Sequence, residues 1–381
     1  MGKSIAEVRR FVGLDVHAQT IAVAVAEKDG EVRNLGIIPN RLQSIRKLLP
    51  KLGQPGTWRA CYEAGPTGYT LYWQLHQLGA ECVVVAPTLV PMKAGDRVKT
   101  DRRDAERLAR SLRAGELTSV WVPDGAHEAL RDLVRAREAA KQDQLRARHR
   151  LAKFLLRHGR RPSPGVNAWT QRYLDWIRRD VTFEHFAQRA TLEDYLAEVD
   201  HQAQRIARLD RAIDEAIVEA PASMREVVSA LQALRGVRKL IAVTIVAELG
   251  QLSRFPSARQ LMGYSGAVSS EHSSGEHTWR GGITKTGNAH LRRVLVEAAW
   301  SQRYAPTMSR ELRARQRGLS PAVQEIASKA LHRLSARYRR LSARGKPKQQ
   351  VVTAIARELL GFIWAIGVEV ERNGCSGCVA A

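Results

Sequence analysis

Phe11-Val12-Gly13-Leu14-Asp15 is a short apolar run that ends in an acid. Read as a strand, it sets the pattern for the residues that follow. Thr20 to Ala26 alternates and is rich in β-formers. Lys28-Asp29-Gly30 is a hairpin signal, and Val32 to Pro39 follows as a third strand. Arg41 to Leu52 carries helical periodicity, Trp58 to Glu63 reads as a strand and Thr67 to Leu78 as a helix. Glu81 to Ala86, of the Cys-Val-Val-Val type, reads as a buried strand. The next helix begins at Lys99-Thr100-Asp101-Arg102-Arg103-Asp104-Ala105-Glu106-Arg107-Leu108-Ala109, where Thr100 or Asp101 can serve as N-cap and good helix formers follow. The order is β-β-β-α-β-α-β-α, which predicts an α/β domain over residues 1–123.

Beyond residue 124 strand signals vanish and charge rises. Leu130 to Leu156 reads as a long helix rich in Arg and Lys. Leu192, Tyr195 (or Leu196), Val199, Ala203, Ile206, Leu209, Ile213 and Ile217 follow the spacing of a coiled-coil seam. Arg160-Arg161-Pro162-Ser163-Pro164-Gly165 separates the two, so residues 124–220 are expected to form a helical arm, either a hairpin or a dimer element. Residues 221–370 read as a mainly α-helical domain. Within it, Leu234-Arg235-Gly236-Val237-Arg238-Lys239-Leu240-Ile241-Ala242 resembles the turn of a helix-hairpin-helix, where Gly236 and Lys239 would face a phosphate; a plain helix-helix turn is the alternative. Residues 371–381 are expected to be a flexible tail. Cys375-Ser376-Gly377-Cys378 has metal-ligand spacing but lacks the second ligand pair that zinc needs.

The 381 residues carry a formal net charge of +23. A positive field of that size favours a polyanion, and nucleic acid is the default one. The basic residues recur along helices from Arg97 to Lys348, including Arg131, Arg135, Arg137, Lys141, Arg146 and Arg148, which suggests a long track. No run of about eighteen apolar residues is evident, so no membrane partner is expected, and Leu359 to Val370 reads as a buried helix. Four scattered cysteines and no signal-peptide pattern suit a reducing cytoplasm.

Asp101 and Asp104 are three apart and share one helix face. Their repulsion is relieved either by Arg102, Arg103 and Arg107, in an ordinary salt-bridged helix start, or by a cation. Asp15 and Glu63 end the first and fourth strands, which are neighbours in this order. Asp15, Glu63, Asp101 and Asp104 would then form a four-carboxylate cluster suited to magnesium or manganese. Two such ions support phosphodiester chemistry. In the second half, Lys285, Asn288, His290, Arg292 and Arg293 follow a Gly-flanked turn, and Lys285, Arg292 and Arg293 read as a phosphate grip. Ser269, Ser270, Ser273 and Ser274 read on their own as loop serines, and Tyr264 is a rival nucleophile.

The order of strands and helices with Asp, Glu and Asp-x-x-Asp resembles RuvC-type Holliday-junction nucleases of the RNase H-like fold. The strings are sharper. Gly13-Leu14-Asp15-Val16-His17, Glu63-Ala64-Gly65-Pro66-Thr67-Gly68 and Lys99 to Ala105 look like the DEDD transposases of bacterial insertion sequences, family one-ten. Arg254 to Leu261 and Gly281-Gly282-Ile283-Thr284-Lys285-Thr286-Gly287-Asn288-Ala289-His290-Leu291-Arg292-Arg293 are similar to that family's C-terminal domain. The resemblance implies a two-part active site: metal on Asp15, Glu63, Asp101 and Asp104, and a nucleophilic serine before a glycine, which here is Ser274 or its neighbour Ser273. It also implies double-stranded donor and target DNA, a guide RNA from the element, and a homo-oligomer in synapsis. A junction endonuclease using water, and a non-enzymatic basic scaffold, are the competing expectations.

Overall fold

The computed structural model describes residues 8–91, 100–275 and 277–377, the last four as backbone only; Lys99 and Cys378 lie outside them. The chain divides into two compact units, residues 1–122 and 123–381.

In the first unit β1 (Arg10–Val16), β2 (Thr20–Glu27), β3 (Val32–Pro39), α1 (Leu42–Leu52), β4 (Trp58–Glu63), α2 (Thr70–Gln77), β5 (Glu81–Val85) and α3 (Asp101–Ala114) follow one another. They form the expected sequence of elements. The sheet order is β3-β2-β1-β4-β5. The hairpin strands are antiparallel, and β1–β4 and β4–β5 are parallel, so the sheet is mixed.

Side-chain alternation decides the two faces. Val12, Leu14, Ile21, Val23, Val25 and Tyr62 pack with Ile45, Leu48, Leu52, Leu71 and Leu75 of α1 and α2. The opposite face carries Phe11, Ala22, Ala24, Ala26 and Cys61 against Ala105, Leu108, Ala109 and Leu112 of α3. The second face is built from small residues, so α3 lies close on the sheet. Gly13 is the point of closest approach. A β-carbon there would meet the Ala105 carbonyl oxygen at 2.1 Å and the Ala109 nitrogen at 2.5 Å.

The second unit opens with α4 (Gly125–Arg157), α5 (Gln171–Asp180) and α6 (Phe186–Glu219). Helices α4 and α6 run antiparallel, tied by Arg137–Asp210 and Arg205–Asp143, each at 2.9 Å. The arm is thus a hairpin within one chain. Its tip has a core of Leu151, Phe154, Leu155, Tyr173, Ile177, Phe183 and Leu192. Its base, with Leu130, Val134, Ile213 and Ile217, joins the core of the helices that follow. Between the two cores Gln144 and Gln202 are buried while Ala203 is exposed, so the apolar seam expected along α6 is interrupted. Helix α5 has no counterpart among the expected elements. It is a short amphipathic segment capped by Thr170, with Tyr173 and Ile177 turned inward.

The remaining helices are α7 (Ala222–Leu231), α8 (Lys239–Leu249), α9 (Ala258–Tyr264), α10 (Ala289–Ala299), α11 (Arg310–Gln316), α12 (Pro321–Ala343) and α13 (Lys348–Gly377). Helix α13 bears on two expectations. It is long and apolar enough to cross a membrane by length and composition alone. Its Val351, Ile355, Leu359, Leu360, Ile363 and Ile366 are buried in the core of this unit. The helix extends to Gly377. The region is not wholly helical either: β6 (Ser269–Ser274) and β7 (His277–Ile283) form a two-stranded antiparallel ribbon. Its polar sequence hides the strands because neither face of a lone ribbon needs an apolar row.

Candidate active-site residues

Asp15 and Glu63 emerge on the same sheet face, the one covered by α3. Phe11, Gly13 and Asp15 alternate on β1, as Cys61 and Glu63 do on β4. The parallel register sets Leu14 beside Tyr62, one residue before the two acids. Thr100 caps α3 by accepting from the Arg103 amide, so the first turn of the helix carries Asp101 and Asp104 over these strand ends. The close approach at Gly13 brings the helix down to them.

The three ligand atoms that come together are those of Asp15, His17 and Asp101, all within 4.8 Å of one another. His17 Nε2 is 3.2 Å from Asp15 Oδ2 and 3.5 Å from Asp101 Oδ1. Burial raises the Asp15 carboxyl above its ordinary range. His17 opposes that shift, while Asp104 and Asp101 add to it. Two carboxylates and an imidazole are a donor set that suits a divalent cation.

The other two acids point to a different partner. Asp104 is buried and pairs with Arg107 at 2.8 Å, and Glu63 lies 3.6 Å from the same guanidinium. Both the cation-ligand and the salt-bridged readings of this helix start are therefore represented, on different acids. His17 is not among the expected ligands; it stands two residues after Asp15, just past the end of β1.

Ser274 closes β6, directly opposite His277 across a turn in which Gly275 adopts φ 59°. The register also pairs His272 with Trp279 and Ser273 with Thr278. One face of the ribbon therefore carries His272, Ser274, His277 and Trp279, and the other Glu271, Ser273, Thr278 and Arg280. Ser273 donates to Glu271 at 3.1 Å, and Arg280 pairs with Glu271 at 3.0 Å. The two candidate serines thus face opposite ways, and Ser273 is tied into a polar cluster. Tyr264 packs edge-on to Phe255, with the Arg254 guanidinium 4.9 Å above its ring.

The residues read as a phosphate grip have internal duties. Asn288 caps α10 and donates to Glu248 at 2.5 Å. Arg292 donates to the carbonyls of Ser265 and Thr286. Arg293 pairs with Glu138 at 2.7 Å, and His290 meets the same carboxylate at 2.6 Å. Lys285 stands at φ 58°, and its side chain is exposed. Gly287 admits the Tyr264 carbonyl, which a β-carbon would meet at 2.0 Å, so its smallness serves the fold. Gly236 likewise packs on the Ala298 carbonyl, and Lys239 pairs with Asp214 at 2.6 Å.

Glu248 gives no sequence signal because it sits in the apolar run of α8. Fully buried, it receives two hydrogen bonds from Arg135, both at 2.8 Å, and one from Asn288. Burial alone would raise its carboxyl. The bonds from Arg135 and Asn288 and the charge of Arg131 outweigh that and hold it below the usual range. Much of the basic surplus of α4 is therefore internal: Arg131, Arg135 and Arg137 all pair within this unit.

Comparison with known proteins agrees with these motifs and their order. Residues 12–159 match the family model of IS110-type DEDD transposases, and residues 228–315 match that of the IS116/IS110/IS902 transposase family. The protein y4qE of Sinorhizobium fredii, named as a candidate transposase, is 48% identical over 378 residues, covering 98% of this chain and 92% of that one. The transposase for insertion sequence element IS1533 of Leptospira borgpetersenii is 33% identical over 350 residues, covering 88% and 97%. A pilin gene-inverting protein of Moraxella bovis is 24% identical over 274 residues, covering 71% and 67%. The chain belongs to the IS110 family of DEDD transposases, enzymes that cut DNA and transfer its strands.

Proposed function

We propose that the chain moves an insertion sequence by joining DNA covalently to Ser274 while the acids of the first unit hold magnesium or manganese. The observation that carries this reading is the convergence of Asp15, His17 and Asp101, whose ligand atoms lie within 4.8 Å. Asp15 and Asp101 would hold the cation with His17, and Glu63 and Asp104 would join if Arg107 turned away. A cation held there would supply charge neutralisation at a phosphate. The strand order β3-β2-β1-β4-β5 supports an RNase H-like reading of this unit.

The Ser274 hydroxyl attacks phosphorus, its proton leaves, and the bond to one sugar oxygen breaks with that oxygen taking up a proton. The phosphodiester energy is retained in the serine ester until a second sugar hydroxyl displaces it. Ser274 is favoured over Ser273 because Ser273 is tied to Glu271 on the opposite ribbon face. Lys285, Asn288, Arg292, Arg293, Gly236 and Lys239 remain the proposed backbone-contact set. Lys285 is its most available member.

Donor and target are double-stranded DNA. The net charge of +23 supports an added guide RNA, with base pairing choosing the sequence. Synapsis of two DNA sites calls for a homo-oligomer, and the long α4–α6 hairpin, read as a coiled-coil arm, is the element offered for it.

The test is a metal-dependent reaction with element-end DNA and the element's RNA, resolved under denaturing conditions. Wild type and Ser273→Ala should give a protein–DNA adduct, and Ser274→Ala and Asp101→Asn should give none. Full-rate cleavage by Ser274→Ala with no adduct would replace the recombinase with a water-using junction endonuclease. Undiminished activity of Asp101→Asn would remove the acids from the chemistry.

A further inference from the structure

Trp279 is 63% exposed, among the most exposed large hydrophobic residues described in this chain. It is not a loose side chain. The indole lies along the ribbon over Gly281, where a β-carbon would come within 3.2 Å of two ring carbons and 2.5 Å of the Ser270 hydroxyl. Its ring also stands 5.7 Å from His272, tilted by 35°. The ribbon thus holds an indole and an imidazole on one face and leaves them open to solvent. An indole so placed is costly to hydrate and loses little side-chain freedom on binding, which is the character of a stacking platform.

The same face carries Ser274. Along the ribbon the His272–Trp279 pair is one two-residue step from the Ser274–His277 pair. That step is roughly 6.8 Å, equal to about two base rises of ~3.4 Å along a strand. A strand whose phosphate lies at Ser274 would have a base within reach of the indole.

We propose that Trp279, flanked by His272, stacks on an unpaired DNA base one or two nucleotides from the phosphate attacked at Ser274. The inference rests on the reading of Ser274 as nucleophile for its position, but the stacking itself needs no reaction. The occupant is DNA because this enzyme cuts DNA, and the base is unpaired because an indole stacks only on an exposed base face. Gly281 leaves the space over which the indole lies.

The experiment uses the full-length protein and a duplex with a short gap of unpaired thymines. It measures Kd by fluorescence anisotropy across a salt series, without metal, so that no reaction occurs. Loss of one base–aromatic stack weakens binding by roughly 5- to 150-fold. Trp279→Ala should show a loss in that range, while Trp279→Phe stays within about threefold of wild type. The slope of log Kd against log salt should be unchanged, since stacking removes no phosphate contact. A 5-iodouracil placed in the gap should photo-crosslink to the peptide holding Trp279 in the wild type.

Binding by Trp279→Ala equal to wild type overturns the proposal. So does a Phe variant as weak as the Ala variant, or a crosslink elsewhere. A loss seen with the matching RNA and absent with DNA overturns the choice of DNA. Ser274→Ala should bind as wild type. If the tryptophan effect holds while Ser274→Ala still forms an adduct, the platform stands and the nucleophile reading fails.

Discussion

Gly13→Ala adds a single methyl at the seam between β1 and α3. That β-carbon would lie 2.1 Å from the Ala105 carbonyl oxygen and 2.5 Å from the Ala109 nitrogen, whereas ordinary contact begins at 3.4 Å. Both obstacles are helix backbone, so no rotamer change relieves them. The shortfall is 3.4 − 2.1 = 1.3 Å, and α3 must retreat by roughly 1 Å if the sheet yields a little. Overpacking of this kind costs about 1–3 kcal/mol, which lowers the melting temperature of the first unit by roughly 3–15 °C. The same retreat carries Asp101 away from Asp15 and His17. Metal ligands tolerate about 0.2 Å, so Mn2+ affinity should fall by roughly 10- to 100-fold. Calorimetric titration with Mn2+ and thermal unfolding measure the two effects. Gly65→Ala is the control, since its nearest neighbour would be 3.9 Å away. A Gly13→Ala protein that melts and binds Mn2+ like wild type would refute the argument that this seam sets the site.

Four further outcomes rest on contacts within each unit. Glu248→Ala removes a fully buried carboxylate that accepts hydrogen bonds from Arg135 and Asn288, and should destabilise the second unit by about 1–3 kcal/mol. Glu248→Met with Arg135→Met together should recover most of that in urea unfolding. The Glu248 carboxyl is held below its ordinary 4.5, so its contribution is full above about pH 4.5 and is lost as pH falls through the folded value. Wild type should therefore lose its stability margin over Glu248→Gln on acidification, and a constant margin would contradict this. His17→Gln should weaken Mn2+ binding by about tenfold while leaving the melting temperature of the metal-free protein nearly unchanged; equal affinity would remove His17 from the ligand set. Ser273→Ala should leave the covalent DNA adduct intact and Ser274→Ala should abolish it, with the opposite pattern exchanging their roles.

The elements of the first unit were legible because strand alternation and helix periodicity are local. Val32–Pro39 and Trp58–Glu63 are strands at the residues expected, and Thr100 caps the helix that Asp101 opens. Other features were hidden for reasons that can be named. The alternation of Ala22, Ala24 and Ala26 with Ile21, Val23 and Val25 carries two messages, a strand and a face reserved for a close helix, and the first masks the second. The β6–β7 ribbon has no apolar face and so no periodic signal. Helix α5 lies in a stretch whose turn residues dominate, and Glu248 stands alone in an apolar helix.

The sequence by itself determined which side chains can do chemistry and roughly where along strands and helices they stand. It placed Asp15 and Glu63 at strand ends, Asp101 and Asp104 in one helix turn, and Ser273 and Ser274 before a glycine. Only the tertiary structure decided which of them meet. It drew Asp104 to Arg107, brought His17 between Asp15 and Asp101, set Ser274 and Trp279 on one ribbon face, and turned Arg131 and Arg135 inward to Glu248. The reason is physical. Periodicity fixes direction within an element, but partnership depends on distance and burial between elements, and those follow from packing details as small as the missing β-carbon of Gly13.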